Sequence, residues 1–217
     1  MIVLADNDIL FKLARCDLFD GFLASFSITV DDIRILKSAR FSIRSKKHRN
    51  RIDGESLARL TAFLNSVRDV EAEPDPTTIA ALNEQTDKNI DAGEAVLFSI
   101  CPLIPESAIV TGDKKSLAGL TAASRVDTVC AGLCNALAGR IYCFEQVLTR
   151  ILDHFGFEAI RQKLIDGREC DGGMALWLGS GLDATETKFR EGLTSYLNDA
   201  RRLSGTLLAN DPSVPEI

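Results

Sequence analysis

The sequence lacks the long apolar runs that a membrane span needs. Charges or glycines interrupt every apolar run well short of roughly 18–20 residues. The N-terminus also lacks a basic segment leading into the apolar stretch of a secretory signal. These absences predict a soluble protein without a membrane span that works in the cytoplasm.

Histidine is scarce, with two residues, and none of the six cysteines has CxxC spacing. A chain without export signals is expected to keep such thiols reduced. Cys130 and Cys134 lie four residues apart, so they either help to pack a helix face or belong to a zinc site that needs two further ligands. The GxGxxG and GxxxxGK[ST] loops of common nucleotide-binding folds are absent too.

Enough apolar residues are present for a sizeable core, at 46% of 217 residues. Short apolar runs at 2–5, 27–30 and 108–111, separated by helical patterns, predict an α/β domain with a mostly parallel sheet. A further strand is predicted at 141–144. We therefore expect an α/β domain over residues 1–145.

The remaining residues, 146–210, have helical periodicity. They contain the apolar stretch MALWL around Trp177, which is costly to leave exposed. This helical extension is expected to pack on the α/β domain or to form a homodimer interface.

Acidic residues follow two of the predicted strands. Asp6 comes directly after the first strand, and Asp113 follows the strand at 108–111. The carboxyl ends of parallel strands meet at one edge of a sheet, so these acids should converge there. Asp91 and Glu94 share one helical turn and can join them. Such a carboxylate pocket suits Mg²⁺ or Mn²⁺ and hydrolysis of a phosphodiester by metal-activated water.

Each of these acids also has an explanation that involves no metal. The spacing of Asp91 and Glu94 is that of a helix capping box. Asp6 can bind backbone donors in a strand-to-helix turn, and Asp113 can belong to an ordinary Gly-Asp turn. Their joint placement after parallel strands favours the pocket.

Eight basic residues and no acid occupy positions 34–51, in a chain whose net charge is −6. We expect Asp31 to cap a helix through Ile33 and Leu36, which would place Arg34, Lys37, Arg40 and Arg44 on one face. The segment is either a solvated surface or a site for nucleic-acid phosphates. Its basic residues are Arg34, Lys37, Arg40, Arg44, Lys46, Lys47, Arg49 and Arg51.

Three stretches, VLADNDILFKLA, DAGEAVLFSI and IVTGDKKSL, resemble the PIN domain in their order and spacing. The resemblance covers roughly residues 1–120. It implies a three-layer α/β/α fold and a Mg²⁺- or Mn²⁺-dependent ribonuclease, frequently the toxin of a toxin–antitoxin pair. RNA is then the substrate, and an antitoxin protein is a possible partner.

The resemblance also assigns the site. It implies Asp6, Glu94 and Asp113 as catalytic residues and, together with Asp91, as metal ligands. Asp8 stands where the family often has asparagine, serine or threonine.

One position departs from the family, because Arg34 stands where a glutamate is usual in the helix after the second strand. Asp31, Asp32 or Glu145 are possible substitutes, although Glu145 also suits the N-terminus of a helix. The departure leaves open a second interpretation, in which a catalytically inactive PIN-like module binds RNA or a protein.

Overall fold

Five parallel strands form a single sheet at the centre of the protein. The computed structural model describes residues 1–42, 52–85 and 89–210. The strands lie in the order β3-β2-β1-β4-β5. They are β1 (Ile2–Ala5), β2 (Ile33–Ile35), β3 (Arg68–Asp69), β4 (Ser107–Thr111) and β5 (Ile141–Cys143).

The strand order reverses at β1. The chain moves from β1 outward to β2 and β3, then crosses to β4 and β5 on the other side. β1 pairs in parallel with both neighbours, with Val3 opposite Ile33 on one side and Ala108 on the other. In open parallel sheets the crevice beyond the carboxyl ends at such a reversal is where ligands bind.

Twelve α-helices cover the sheet within the described ranges. They are α1 (Asn7–Arg15), α2 (Phe19–Ser25), α3 (Lys37–Ser42), α4 (Gly54–Ser66), α5 (Pro76–Gln85), α6 (Ala92–Ile100), α7 (Lys114–Ala123), α8 (Thr128–Ala136), α9 (Phe144–Phe155), α10 (Phe157–Gly167), α11 (Gly172–Leu178) and α12 (Glu186–Ser204). No helix in these ranges combines the length and the apolar character that crossing a membrane requires.

Alternate residues of the central strands pack into two different hydrophobic cores, because side chains along a strand point to opposite faces. Val3 of β1 and Val110 of β4 lie in one core, and Leu4 and Ile109 lie in the other. Helices pack on both faces. The predicted α/β fold with a three-layer arrangement and a parallel sheet is confirmed.

The predicted second strand at 27–30 is wrong. Ser27 has a φ of 52°, a left-handed conformation that a strand does not use. The strand forms instead at Ile33–Ile35, where both isoleucines are fully buried. Consequently Asp31 caps no helix, and a 3₁₀ turn at Val30–Asp32 leads into the strand.

The C-terminal helices share the cores of the sheet. Val147 and Ile151 of α9 are fully buried in the core that contains β1 and α1. Leu197 of α12 belongs to the core on the other face. Trp177 of α11 lies edge-on against Phe189, with 5.8 Å between ring centroids. Association into a homodimer stays a prediction.

Candidate acidic site at the carboxyl ends of β1 and β4

Asp6 and Asp113 stand at the crevice between β1 and β4, and Thr111 connects them. Thr111 Oγ1 donates a hydrogen bond to Asp6 Oδ2 at 3.1 Å and accepts one from the Asp113 backbone N–H at 3.1 Å. Both acids also cap helices, since Asp6 accepts from the Asn7 N–H at 2.6 Å and Asp113 from the Lys115 N–H at 2.7 Å. The two predicted strand-end acids are therefore neighbours.

Asp91 and Glu94 form a reciprocal capping box at the start of α6. The Asp91 N–H donates to Glu94 Oε2 at 2.9 Å, and the Glu94 N–H donates to Asp91 Oδ1 at 2.8 Å. Glu94 is only 5% exposed, which is unusual for a capping acid. The spacing of Asp91 and Glu94 is therefore that of a capping box, as one of the two explanations predicted. A capping box does not by itself require a buried glutamate, so the burial of Glu94 has a further cause.

The electrostatics show that the acids from the three segments act on one another. Burial raises the pKa of Glu94 to about 8; the hydrogen bond from the Asp91 backbone opposes this rise, and the charges of Asp6, Asp91 and Asp113 add to it. Burial and the neighbouring Asp8 raise the pKa of Asp6 to about 6, against the hydrogen bonds from Asn7 and Thr111.

Asp8 is held by Lys12, a buried lysine outside the site predicted from the sequence. Lys12 Nζ lies 2.8 Å from Asp8 Oδ2 and 2.9 Å from Asp171 Oδ2, and it donates to the Gly112 carbonyl at 3.1 Å. Burial opposes the charge of Lys12, but Asp8 and Asp171 raise its pKa above the ordinary value. The spacing of Asp8 and Lys12 by four residues on α1 was a usable signal; nothing in the sequence pointed to Asp171.

Gly112 permits this close packing at the end of β4. A Cβ atom at this position would overlap with the Asp8 carboxylate and would lie 2.9 Å from Lys12 Nζ. Any side chain between Thr111 and Asp113 would therefore displace the Asp8 carboxylate from its position beside Lys12.

Three further acids proposed from the sequence lie elsewhere or have other partners. Glu145 is buried in α9 and pairs with Lys114 at 2.6 Å. Asp31 pairs with Arg68 at 2.8 Å, and Asp32 accepts from the Thr29 N–H at 2.8 Å. Asp31 and Asp32 precede β2, so they stand at the amino end of a parallel strand, whereas Asp6 and Asp113 follow carboxyl ends. The structure does not bring Asp31 and Asp32 to the acidic site.

The predicted basic helix face is wrong in including Arg34, whereas Lys37 and Arg40 do lie on one helix. Arg34 lies on β2 and donates to the Asp31 carbonyl at 2.6 Å. Arg40, on α3, donates to Asp69 Oδ1 at 2.9 Å and to the carbonyls of Leu64 and Val67. Lys37 is exposed at the start of α3. The other five predicted phosphate-binding residues, Arg44, Lys46, Lys47, Arg49 and Arg51, lie outside the described residues.

The donor chemistry of the site fits Mg²⁺ or Mn²⁺, since Asp6, Asp91, Glu94 and Asp113 offer hard carboxylate oxygens in a self-repelling group. In the arrangement seen here, however, no three acidic, histidine or cysteine side chains of the described residues are grouped closely enough to hold a metal ion. Each of the four carboxylates has an oxygen bonded to a backbone N–H at a helix start. Coordination would therefore require side-chain rotation.

No family model matches the chain, and no curated protein or solved structure was found similar to it. The functional proposal therefore depends on the geometry of the acidic site and on the motifs in the sequence.

Proposed function

We propose that the protein is a PIN-like, Mg²⁺- or Mn²⁺-dependent ribonuclease that hydrolyses RNA phosphodiester bonds at the acidic site. The observation that supports this most directly is the connection of Asp6 to Asp113 through Thr111 at the strand-order reversal. Buried Glu94 is bonded to Asp91, and the charges of Asp6 and Asp113 add to the rise in its pKa. In the proposal, acids from three distant chain segments serve one crevice.

In this proposal Asp6, Asp91, Glu94 and Asp113 would hold the cation once their side chains had rotated toward one another. A bound divalent cation supplies an activated water and stabilises the leaving oxygen of the phosphodiester. Thr111 orients the Asp6 carboxylate through its hydroxyl group. Lys12 keeps Asp8 paired and holds the Gly112 carbonyl, which fixes the turn between Thr111 and Asp113.

Lys37 is the described residue that we expect to bind the RNA substrate. It lies two residues beyond the carboxyl end of β2, on the same edge of the sheet as Asp6 and Asp113. Leu36, its neighbour, is 3.7 Å from the position of a Cβ on Gly93, in the first turn of α6. Lys37 would bind RNA phosphates beside the acids, and the basic residues at 44–51 belong to the proposal on their sequence alone. A cytoplasmic location and an antitoxin partner belong to the same proposal.

A second candidate is a PIN-like module that binds RNA or a protein and does not cut. It is favoured by the composition of α3, the helix that follows the second strand, since Lys37–Ser42 contains no acidic residue. The family's usual glutamate therefore has no counterpart there, even with the strand in its observed position. The engagement of each carboxylate with a helix N-terminus favours the same alternative.

Titration calorimetry with Mn²⁺ separates the candidates. The wild-type protein should bind Mn²⁺ and cut single-stranded RNA, whereas Asp6→Asn and Asp113→Asn should lose both properties. Asp127→Asn is the matched control, because Asp127 also caps a helix, accepting from the Cys130 N–H at 2.8 Å, outside the acidic site. Folded wild-type protein that binds RNA without binding Mn²⁺ or cutting would support the inactive module instead.

A further inference from the structure

Two cysteines from distant parts of the chain have their sulfur atoms in contact. Cys16 Sγ and Cys170 Sγ lie 3.7 Å apart, and all six cysteines are free thiols. Cys16 ends α1, and Cys170 ends the 3₁₀ turn Arg168–Cys170 between α10 and α11. This contact has no part in the proposed ribonuclease chemistry.

The backbone around the two thiols is built for close approach. A Cβ on Gly167 would overlap with Cys16 Sγ and would lie 2.8 Å from Cys16 Cα, so only glycine lets the end of α10 pass this close to Cys16. Lys163 Nζ pairs with Asp17 Oδ2 at 2.8 Å, immediately after Cys16. Asp171, next to Cys170, pairs with Lys12. An ion pair at the residue after each cysteine therefore helps to hold the sulfurs against one another.

We propose that Cys16 and Cys170 are an oxidisable dithiol, which a hydroperoxide converts into a disulfide that fastens α1 to the junction of α10 and α11. To reach the S–S bond length of about 2.05 Å from 3.7 Å, the sulfurs must approach by roughly 1.7 Å, which side-chain rotation can supply. Cys101 bonds to Ser107, and Cys143 is buried beside Glu145, so neither of these two cysteines has a thiol partner in contact. The inference is independent of the proposed ribonuclease activity.

The two thiols have different environments, which sets the order of the reaction. Cys170 is partly exposed, whereas Cys16 is 1% exposed. Two effects raise the pKa of the Cys16 thiol: the larger is the hydrogen bond with Cys170, and the second is burial. Cys16 therefore stays protonated. Cys170 attacks a peroxide oxygen as its proton leaves, which breaks the O–O bond; the departing hydroxide takes up a proton to become the first water, and Cys170 becomes a sulfenic acid. Cys16 then attacks that sulfur as its proton leaves, and the sulfenic oxygen departs as water. With hydrogen peroxide, two thiols and one peroxide give one disulfide and two waters.

The experiment uses the full chain, fully reduced and then treated with equimolar hydrogen peroxide. Thiols counted after denaturation should fall from six to four, and peptide mapping should recover one linked peptide pair that contains Cys16 and Cys170. The thermal midpoint should rise on oxidation and return with dithiothreitol, since a cross-link closing so long a loop restricts the unfolded chain.

Cys170→Ser should lose no thiols under the same treatment. Cys170 is the more exposed of the two cysteines, so this variant should fold even if Cys16→Ser does not. Cys134→Ser, which replaces a partly buried cysteine outside the pair, should still lose two. Retention of all six thiols in the wild type would overturn the proposal. A disulfide from Cys16 or Cys170 to any other cysteine would also overturn it, and so would a disulfide-linked dimer.

Discussion

Lys12 and Asp171 form an ion pair 2.9 Å long between the first helix and the C-terminal helical region. The same Nζ contacts Asp8 and the Gly112 carbonyl beside the acidic site. Lys12 is 6% exposed, so its charge depends on these partners rather than on water. The packing of the C-terminal helices and the geometry of the candidate site therefore share one residue.

Lys12→Met should destabilise the protein by about 3–5 kcal/mol, because it leaves Asp171 without its partner in a largely buried position. Urea unfolding measures the difference. Lys163→Met is the control: its pair with Asp17 is about half exposed, so it should cost under about 1 kcal/mol. Equal losses in the two variants would show that the Lys12 pair contributes no more than a surface pair.

Gly112→Ala should cost roughly 1–3 kcal/mol, because the added methyl group overlaps with the Asp8 carboxylate and pushes it from Lys12. Gly132→Ala is the matched control within α8, where a Cβ meets nothing within 4 Å. That variant should be neutral or more stable by up to about 1 kcal/mol, since alanine favours helix. Chemical denaturation of both proteins tests the pair, and a Gly112 variant as stable as the Gly132 variant would contradict the geometry.

Glu94 should make the metal-free protein less stable as the pH rises. Its pKa is about 8 in the folded protein and 4.5 as an ordinary glutamate. Between these values the unfolded chain releases the proton while the folded protein retains it, so stability present below pH 4.5 is lost as the pH approaches 8. Glu94→Gln removes this loss.

Denaturant unfolding in EDTA at pH 5 and pH 8 measures the effect. The advantage of Glu94→Gln over wild type should grow toward pH 8, by an amount of the order of a few kcal/mol. Glu158→Gln replaces an exposed acid in the first turn of α10 and serves as the control. If both variants follow the same pH profile, burial of Glu94 has no thermodynamic consequence.

Substitution of Arg40 should lower the stability of the protein, whereas substitution of Lys37 should weaken RNA binding. Arg40→Ala leaves the carbonyls of Leu64 and Val67 without their donor and should cost about 2 kcal/mol. Lys37→Ala should leave the unfolding midpoint unchanged, because Lys37 is exposed, but should weaken RNA binding and lower its salt dependence by about one ion. Unfolding curves and fluorescence anisotropy distinguish these outcomes. Weaker RNA binding by Arg40→Ala at unchanged stability would reverse the assignment.

The sequence predicted the strands at both sides of the acidic site because their apolar runs are short, buried and bounded by polar turns. β1 matched its prediction, and β4 and β5 differed by one residue at one end. β2 was misplaced because the left-handed backbone at Ser27 is not visible in an apolar run, and because Arg34 interrupts the isoleucines of the true strand. β3 was missed because Arg68–Asp69 is a polar edge strand of two residues.

The sequence by itself determined the fold class and the convergence of Asp6 and Asp113, because the alternation of strands and helices leaves the ends of parallel strands on one edge. Tertiary structure alone decided how each charge is balanced. Asp171 meets Lys12 and Cys170 meets Cys16 only after the C-terminal helices pack on α1. Ion pairs and thiol contacts between distant segments have no periodicity in the chain, so they exist only once packing has placed them.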